Sequence, residues 1–363
     1  MKSTIWFDTP SLYYIPQYEP VIEELQKRGY KASLLIHQHP AQKQLIDHFC
    51  KKTQLPWKLI NSKDSAEFYS REKPEWIIFG NNYEPLKQLD KNTKTALLYH
   101  GIGIKSCYYD AELAQFDVRF TEGSFRQEQL QTLYPEANFK QTGFAKLDPL
   151  GTSNLPYQKA FKPEEHGLDA NRPTLVYAPT FYPSSIERMP KNWPNYFSDC
   201  NLVIKPHLFS YTNKKYAKQR QLFKHWQTYP NVYLAPAEEI SLLPYMATAD
   251  LLISEASSAL FEFAALDKPV IWLDFLKLRW SYRGIFRYRF ERRMDMTIND
   301  YRDVATHISR PNDLEQIIRE ELQHPERKKA ERLKATQQLI GEVDGKASIR
   351  IAGYLTAALS SRR

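Results

Sequence analysis

Short β-rich runs alternate with helical patterns through nearly the whole chain, and this alternation constrains the fold more than any other feature. STIWF (3–7), KASLLIH (31–37), WKLI (57–60), EWIIFG (75–80), KTALLYH (94–100), DVRFTEG (117–123) and NFKQTG (138–143) read as strands. Amphipathic helices fall between them, such as PVIEELQKRGY (20–30), which Gly29 stops at its C-terminal end. PEEHGLDANRP (163–173) is polar and turn-rich with no apolar period, and reads as a linker. A second series follows: TLVYAPT (174–180), NLVIKPH (201–207), NVYLAP (231–236), DLLISEA (250–256) and PVIWLD (269–274). Alternating β and α implies parallel sheets with right-handed crossovers.

The 363 residues suffice for two domains, each with its own core. The pattern therefore predicts an α/β protein of GT-B architecture, two Rossmann-like domains whose parallel sheets face each other across a ligand cleft. The expected bounds are 1–155 and 172–363, the second carrying the C-terminal helices. The final helix is a candidate to pack back on the first domain.

Net charge of +8 points to an anionic partner: nucleic acid, an anionic membrane surface or a phosphate-bearing substrate. No apolar run approaches the roughly 18 residues of a membrane span. The start MKSTIWFDTP has no apolar signal region, so export is not expected. Cys50, Cys107 and Cys200 lie too far apart in sequence to suggest a disulfide framework or a zinc site. A reducing, cytoplasmic setting fits these features.

Several strands end in polar residues suited to chemistry. LLYHGIGIK (97–105) places His100 on the rim where ligands bind, with Gly101 and Lys105 following. VIKPH (203–207) brings Lys205 and His207 to another strand exit, as charge neutralisers for a phosphoryl oxygen or simply as a solvated end. VYAPTFY (176–182) offers the Thr180 hydroxyl. In ADLLISEASSALFEFAALDKPVIWLD (249–274) a strand runs into Ser257 and Ser258 at a helix start, either an anion site or an ordinary serine cap. KLRWSYRGIFRYRFERR (277–293) interleaves basic and aromatic residues, as a nucleic-acid face, an interfacial surface, a phosphate clamp through Arg283 or a solvated basic face. His37 and His39 in HQH lack carboxylate or cysteine company and do not read as a metal site. There is no P-loop, no serine-hydrolase elbow and no full dinucleotide fingerprint.

In order, YHGIGIK (99–105), YAPTFY (177–182), IKPH (204–207), ISEASSALFEFAALDKPVI (253–271), YRGIF (282–286) and DGKAS (344–348) resemble the CDP-glycerol glycerophosphotransferases of teichoic acid and capsule synthesis. The resemblance spans about 97 to 350, with the paired serines its most specific element. Ile-Gly-Ile follows His100-Gly101 where the family usually has Thr-Pro-Leu, and Glu255-Ala256 stands where it has Asp-Tyr.

The resemblance implies transfer of glycerol phosphate from CDP-glycerol, or ribitol phosphate from CDP-ribitol, to a hydroxyl of a lipid-linked or polymeric acceptor, releasing CMP. The first domain would take the acceptor and the second the donor. It implies His100 as general base, facing His207 across the cleft, and Lys205 with His207 on the diphosphate or leaving phosphate. Ser257, Ser258 and Thr180 would hold diphosphate oxygens, with Glu255, Glu262, Arg283, Gly101 and Lys105 as further substrate contacts. Phosphoryl transfer is largely positioning and charge neutralisation, so no metal or cofactor is expected. Peripheral attachment to the inner face of the cell membrane follows from a lipid-linked acceptor and an anionic membrane surface. A nucleotide-sugar glycosyltransferase of the same fold is the alternative, and a basic nucleic-acid-binding protein a more distant one; no nucleic acid partner is expected.

Overall fold

The computed structural model describes residues 4–102, 106–151, 157–278 and 296–360, together with Tyr282, Gly284 and Tyr288. Every apolar run singled out above contains a strand. The first series gives β1 (Thr4–Thr9), β2 (Lys31–Gln38), β3 (Trp57–Asn61), β4 (Trp76–Phe79), β5 (Lys94–Leu98), β6 (Val118–Thr121) and β7 (Phe139–Gln141). They form one seven-stranded sheet in the order β3-β2-β1-β4-β5-β6-β7, parallel throughout.

The second series gives β8 (Thr174–Tyr177), β9 (Asn201–Ile204), β10 (Val232–Leu234), β11 (Leu251–Ser254) and β12 (Val270–Leu273), joined by β13 (Thr306–Ile308). Their six-stranded sheet is also parallel, in the order β10-β9-β8-β11-β12-β13. β13 escapes the sequence reading because Thr-His-Ile is too short to show a run or an alternation. β4, β8, β9, β11 and β12 are buried along their whole length, as strands covered on both faces must be.

In each sheet the strand order reverses once, between β1 and β4 in the first and between β8 and β11 in the second. Ligands of open α/β sheets bind beyond the carboxyl ends of the strands at such a reversal. The topology thus marks Asp8 and Gly80 in one sheet, and Ala178–Thr180 with Glu255–Ser258 in the other.

The chain divides into two compact units, Met1–Ile102 with Tyr108–Ser153 and Gln337–Arg363, and Gly103–Cys107 with Asn154–Thr336. The expected bounds count the C-terminal helices with the second half, but the last of them belongs to the first unit, the packing for which it is a candidate from the sequence. Helix Ala347–Ser360 packs on helix Ile15–Lys27, burying Ile351, Ala352 and Leu355 completely. The Asp148 carboxylate accepts the N–H groups of Ala347 (3.0 Å) and Ser348 (2.6 Å), two donors that the first helical turn leaves without partners. Asp344 pairs with Arg350 at 2.8 Å. The Asp-Gly-Lys-Ala-Ser signal is therefore the anchored start of this helix.

Helix Ile15–Lys27 begins five residues ahead of the expected Pro20, because Pro16 already occupies its first turn. Pro20 lies inside it and forgoes one intrahelical bond. Gly29, at φ +83°, ends the segment in the left-handed conformation that glycine takes without strain. Residues 163–173 lie within the second unit, where the Phe161 ring stacks on His166 at 4.8 Å and packs on Tyr245 at 5.2 Å.

Candidate active site

β5 ends at Leu98, and buried Tyr99 and Ile102 bracket a partly exposed His100 at its carboxyl end. His100 Nδ1 lies 3.1 Å from the carbonyl oxygen of Gly80, the residue that follows β4. A carbonyl only accepts, so Nδ1 carries the proton and the neutral ring has its lone pair on Nε2. The ring stacks on Tyr14 at 4.4 Å and Tyr99 at 4.8 Å and meets Tyr13 edge-on at 4.8 Å. Burial raises the pKa of both Tyr13 and Tyr14, so these phenols stay neutral beside the imidazole. A Cβ on Gly80 would lie 2.5 Å from the Tyr18 hydroxyl and 2.9 Å from Tyr14 Cδ2, so only glycine fits here. Gly101 is buried, and Lys105 lies outside the described residues.

In the second unit, Lys205 and His207 leave the carboxyl end of β9. The Lys205 N–H donates to the Tyr177 carbonyl at 2.9 Å, tying this exit to β8. Burial pulls the Lys205 ammonium down to about 8, against a small opposing pull from Glu239. His207 stands at the N-cap of helix Leu208–Thr212, where its Nδ1 accepts the N–H of Phe209 at 3.1 Å. Its neutral ring therefore holds the proton on Nε2. Phe181 and Phe209 flank it at 4.7 and 5.0 Å.

At the β8/β11 reversal, Glu255 organises the loop opposite it. Its Oε2 accepts the Thr180 N–H at 2.7 Å, while its Oε1 accepts the N–H (2.7 Å) and hydroxyl (2.5 Å) of Ser185 and, more distantly, the Ser184 hydroxyl (3.4 Å). Burial raises the Glu255 pKa, and these donors oppose the shift by favouring the carboxylate. The Thr180 hydroxyl donates to the Pro183 carbonyl. The Ser254 hydroxyl donates to the Ala178 carbonyl at 2.6 Å, which makes Ser254 Oγ the acceptor for Ser257 at 3.0 Å. Ser257 precedes helix Ser258–Ala264 without capping it through its side chain. Both Ser257 and Ser258 are half-buried.

The fold thus brings Thr180, Glu255, Ser257 and Ser258 to one reversal point, with Lys205 and His207 on the strand next to β8. Two expected contacts change character. Glu255 is 1% exposed with both oxygens turned into the loop, and Glu262 is 0% exposed in a helix whose residues from Leu260 to Ala264 are all buried. Neither has surface left for a substrate; Glu255 instead shapes the loop that carries Thr180. Arg283, and most of the basic and aromatic segment 277–293, lie outside the described residues.

The sequence reading passed over Gly80, Tyr13, Tyr14, Ser184 and Ser185, which hold the named residues in place. A glycine closing the apolar run 75–80 was the one available signal for Gly80. It also missed that His37 is buried, with Nε2 2.8 Å from Asp8 Oδ1 and Nδ1 3.2 Å from Ser62 Oγ, while His39 is exposed. Tyr69 donates to the same Asp8 oxygen at 2.7 Å. Among the described residues no three His, Cys, Asp or Glu side chains are grouped to hold a metal ion.

The chain superposes with a TM-score of 0.70 and 15% identity on the wall teichoic acid polymerase TagF, in a histidine variant soaked with CDPG, covering 99% of this chain and 89% of that one. A UDP-N-acetylglucosamine 2-epimerase matches with a TM-score of 0.60 and 15% identity, over 100% of this chain and 98% of that one. The UDP-GlcNAc 2-epimerase of Neisseria meningitidis bound to UDP-GlcNAc matches at 0.62 and 13%, over 98% and 100%. At such identities the likeness establishes the fold, two Rossmann-like parallel sheets of the GT-B kind. No curated protein sequence matches significantly. The sequence model described as CDP-glycerol:poly(glycerophosphate) glycerophosphotransferase matches residues 58–356, most of the chain, including the whole second sheet and β4–β7 of the first. The chain belongs to that glycerophosphotransferase family.

Proposed function

We propose that this CDP-glycerol glycerophosphotransferase uses His100 as the general base on the acceptor hydroxyl and the Lys205–His207 turn on the donor diphosphate. The observation that carries the assignment is the pair of tautomers. With Nδ1–H committed to the Gly80 carbonyl, His100 has its basic lone pair on Nε2; with Nδ1 committed to the Phe209 N–H, His207 has an Nε2–H to donate.

In the reaction, the acceptor oxygen attacks the phosphorus that bears glycerol, its proton passes to His100 Nε2, and the bond to the CMP phosphate oxygen breaks. Lys205 and the His207 Nε2–H neutralise the charge that gathers on that leaving oxygen. Ser258 contributes its hydroxyl to the diphosphate, Ser257 is held beside it by Ser254, Glu255 acts by holding the Thr180–Ser185 loop, and no step requires a metal.

The acceptor is a phosphate-linked polyol or glycan carried on a lipid, and the protein attaches peripherally to an anionic membrane surface. The net charge of +8 supports this, each basic residue near such a surface being worth about 1 kcal/mol. No helix among the described residues is long and apolar enough to cross a membrane. Incubation with CDP-glycerol, CDP-ribitol and nucleotide sugars in turn, beside a lipid-linked acceptor, tests the proposal: CMP release from CDP-glycerol supports it, and turnover of a nucleotide sugar alone contradicts it.

A further inference from the structure

Asp8, His37 and Ser62 stand at the carboxyl ends of β1, β2 and β3, strands that lie side by side at one end of the first sheet. The HQH segment has no carboxylate beside it in sequence, and the fold supplies one from 29 positions away. None of the three residues takes part in the transfer chemistry assigned above.

What each partner can donate or accept fixes the protons in this cluster. His37 Nε2 lies 2.8 Å from Asp8 Oδ1, and a carboxylate only accepts, so Nε2 carries the ring proton. The Tyr69 hydroxyl donates to the same oxygen at 2.7 Å, and burial keeps that phenol neutral. The neutral imidazole then has its lone pair on Nδ1, 3.2 Å from Ser62 Oγ, and the serine hydroxyl donates to it.

Burial separates the roles. Asp8 and His37 are 4% and 6% exposed, whereas Ser62 is exposed. Buried groups hold Ser62 from behind: its carbonyl accepts the Ser65 hydroxyl at 3.0 Å, which leaves Tyr83 to donate to Ser65 Oγ at 3.0 Å. A hydroxyl, an imidazole acceptor and a carboxylate in series activate serine as a nucleophile on unrelated folds. Packing alone gives no reason for the series to end on an exposed hydroxyl, which water satisfies equally well.

We propose that Ser62, His37 and Asp8 form a second reactive centre, an acyl-transfer site for small carboxylic esters arriving from solvent. The Ser62 oxygen bonds to the acyl carbon while its proton passes to His37 Nδ1. Asp8 stays ionised, keeps the ring in place and stabilises the imidazolium through its Nε2–H. The bond from the acyl carbon to the alkoxy oxygen breaks, and that oxygen takes the proton from Nδ1 and leaves as the alcohol. Water attacks the acyl-serine through the same base, releasing the carboxylic acid and restoring Ser62.

Treatment of the full chain with a fluorophosphonate, followed by mass mapping of its peptides, tests the proposal, with p-nitrophenyl acetate as turnover substrate. The label should fall on Ser62. Ser62→Ala, a change at an exposed position, should lose the label and most p-nitrophenol release, yet form CMP from CDP-glycerol like wild type. His37→Gln should slow labelling by about 10²-fold or more. Asp8→Asn, which removes a positioning residue, should slow the inactivation step while leaving reversible binding of the reagent unchanged. Because both are buried, Ser62→Cys supplies a test that spares the core. Beside an imidazole acceptor its thiol ionises readily, so iodoacetamide should alkylate it faster near neutral pH than the exposed Cys107 of the same chain. A label absent from Ser62, a Ser62→Ala protein that hydrolyses the ester like wild type, or a Ser62→Cys thiol no faster than Cys107 overturns the proposal. Loss of CMP formation in folded Ser62→Ala also overturns it, by placing Ser62 in the transferase site instead of a second centre.

Discussion

His100 and His207 are held in opposite tautomers, the first by a carbonyl that can only accept from its Nδ1 and the second by an N–H that can only donate to its Nδ1. Each constraint is a backbone group at a strand exit or helix start. One imidazole is thereby preset to take a proton at Nε2 and the other to give one, before any substrate arrives.

Replacing either imidazole should therefore remove turnover rather than structure. His100→Ala and His207→Ala should each lower kcat by about 10²–10⁴-fold, the usual share of a general acid or base. Both rings are partly exposed, so thermal melting should remain cooperative and close to wild type. Unfolding of either variant at assay temperature would assign that histidine to the scaffold.

Gly80 should be as indispensable as the histidine it orients. Gly80→Ala drives a methyl into Tyr18 and Tyr14, and overpacking of this kind typically costs about 1–3 kcal/mol. Activity should fall further than the melting shift explains, because Tyr14 stacks on His100. A folded, fully active Gly80→Ala protein would show that the Tyr14–His100 stack tolerates a methyl at this position.

Lys205 makes donor binding pH-dependent. Its ammonium loses its proton near 8 instead of the usual 10.5, so the folded protein binds fewer protons than the unfolded chain between those values. Stability consequently rises with pH across that window, and below it the empty site carries the unfavourable buried charge. A bound diphosphate favours the charged form and raises this pKa. CDP-glycerol binding should then take up protons between about pH 8 and 9, visible as a dependence of the binding heat on buffer ionisation enthalpy. Lys205→Met should abolish the uptake.

The second sheet has an acid-sensitive fastening at Asp274, the residue after β12. Burial alone would raise its pKa, but the His307 contact at 2.9 Å and two Arg302 contacts at 3.0 and 2.9 Å outweigh that and hold it below the usual 3.8. A depressed carboxyl contributes stability above its unfolded pKa and loses it as pH falls through the folded one. Asp274→Asn should melt below wild type at pH 7, with the gap closing as the pH drops below about 3.8. A gap of constant size would mean that shape, not charge, is what Asp274 supplies.

The strands were legible because parallel strands covered on both faces are written as unbroken apolar runs, as Leu251–Ser254 shows. Their polar exits were legible for the same reason, since His100, Lys205 and Ser257 each interrupt or follow such a run. What stayed hidden depends on partners distant in sequence. Nothing near Glu255 announces that Thr180 and Ser185, some seventy residues away, fill its carboxylate. Ser257 looks like a cap, yet its hydroxyl turns to Ser254, a choice made by the Ala178 carbonyl on the neighbouring strand.

The most direct test of the account is the rate of CMP formation from CDP-glycerol by wild type and His100→Ala at saturating acceptor, each product examined for attached glycerol phosphate. The account predicts stoichiometric CMP release and glycerol phosphate transfer by wild type, with the variant slower by about 10²–10⁴-fold at unchanged donor affinity. A His100→Ala enzyme that transfers glycerol phosphate at close to the wild-type rate would contradict it.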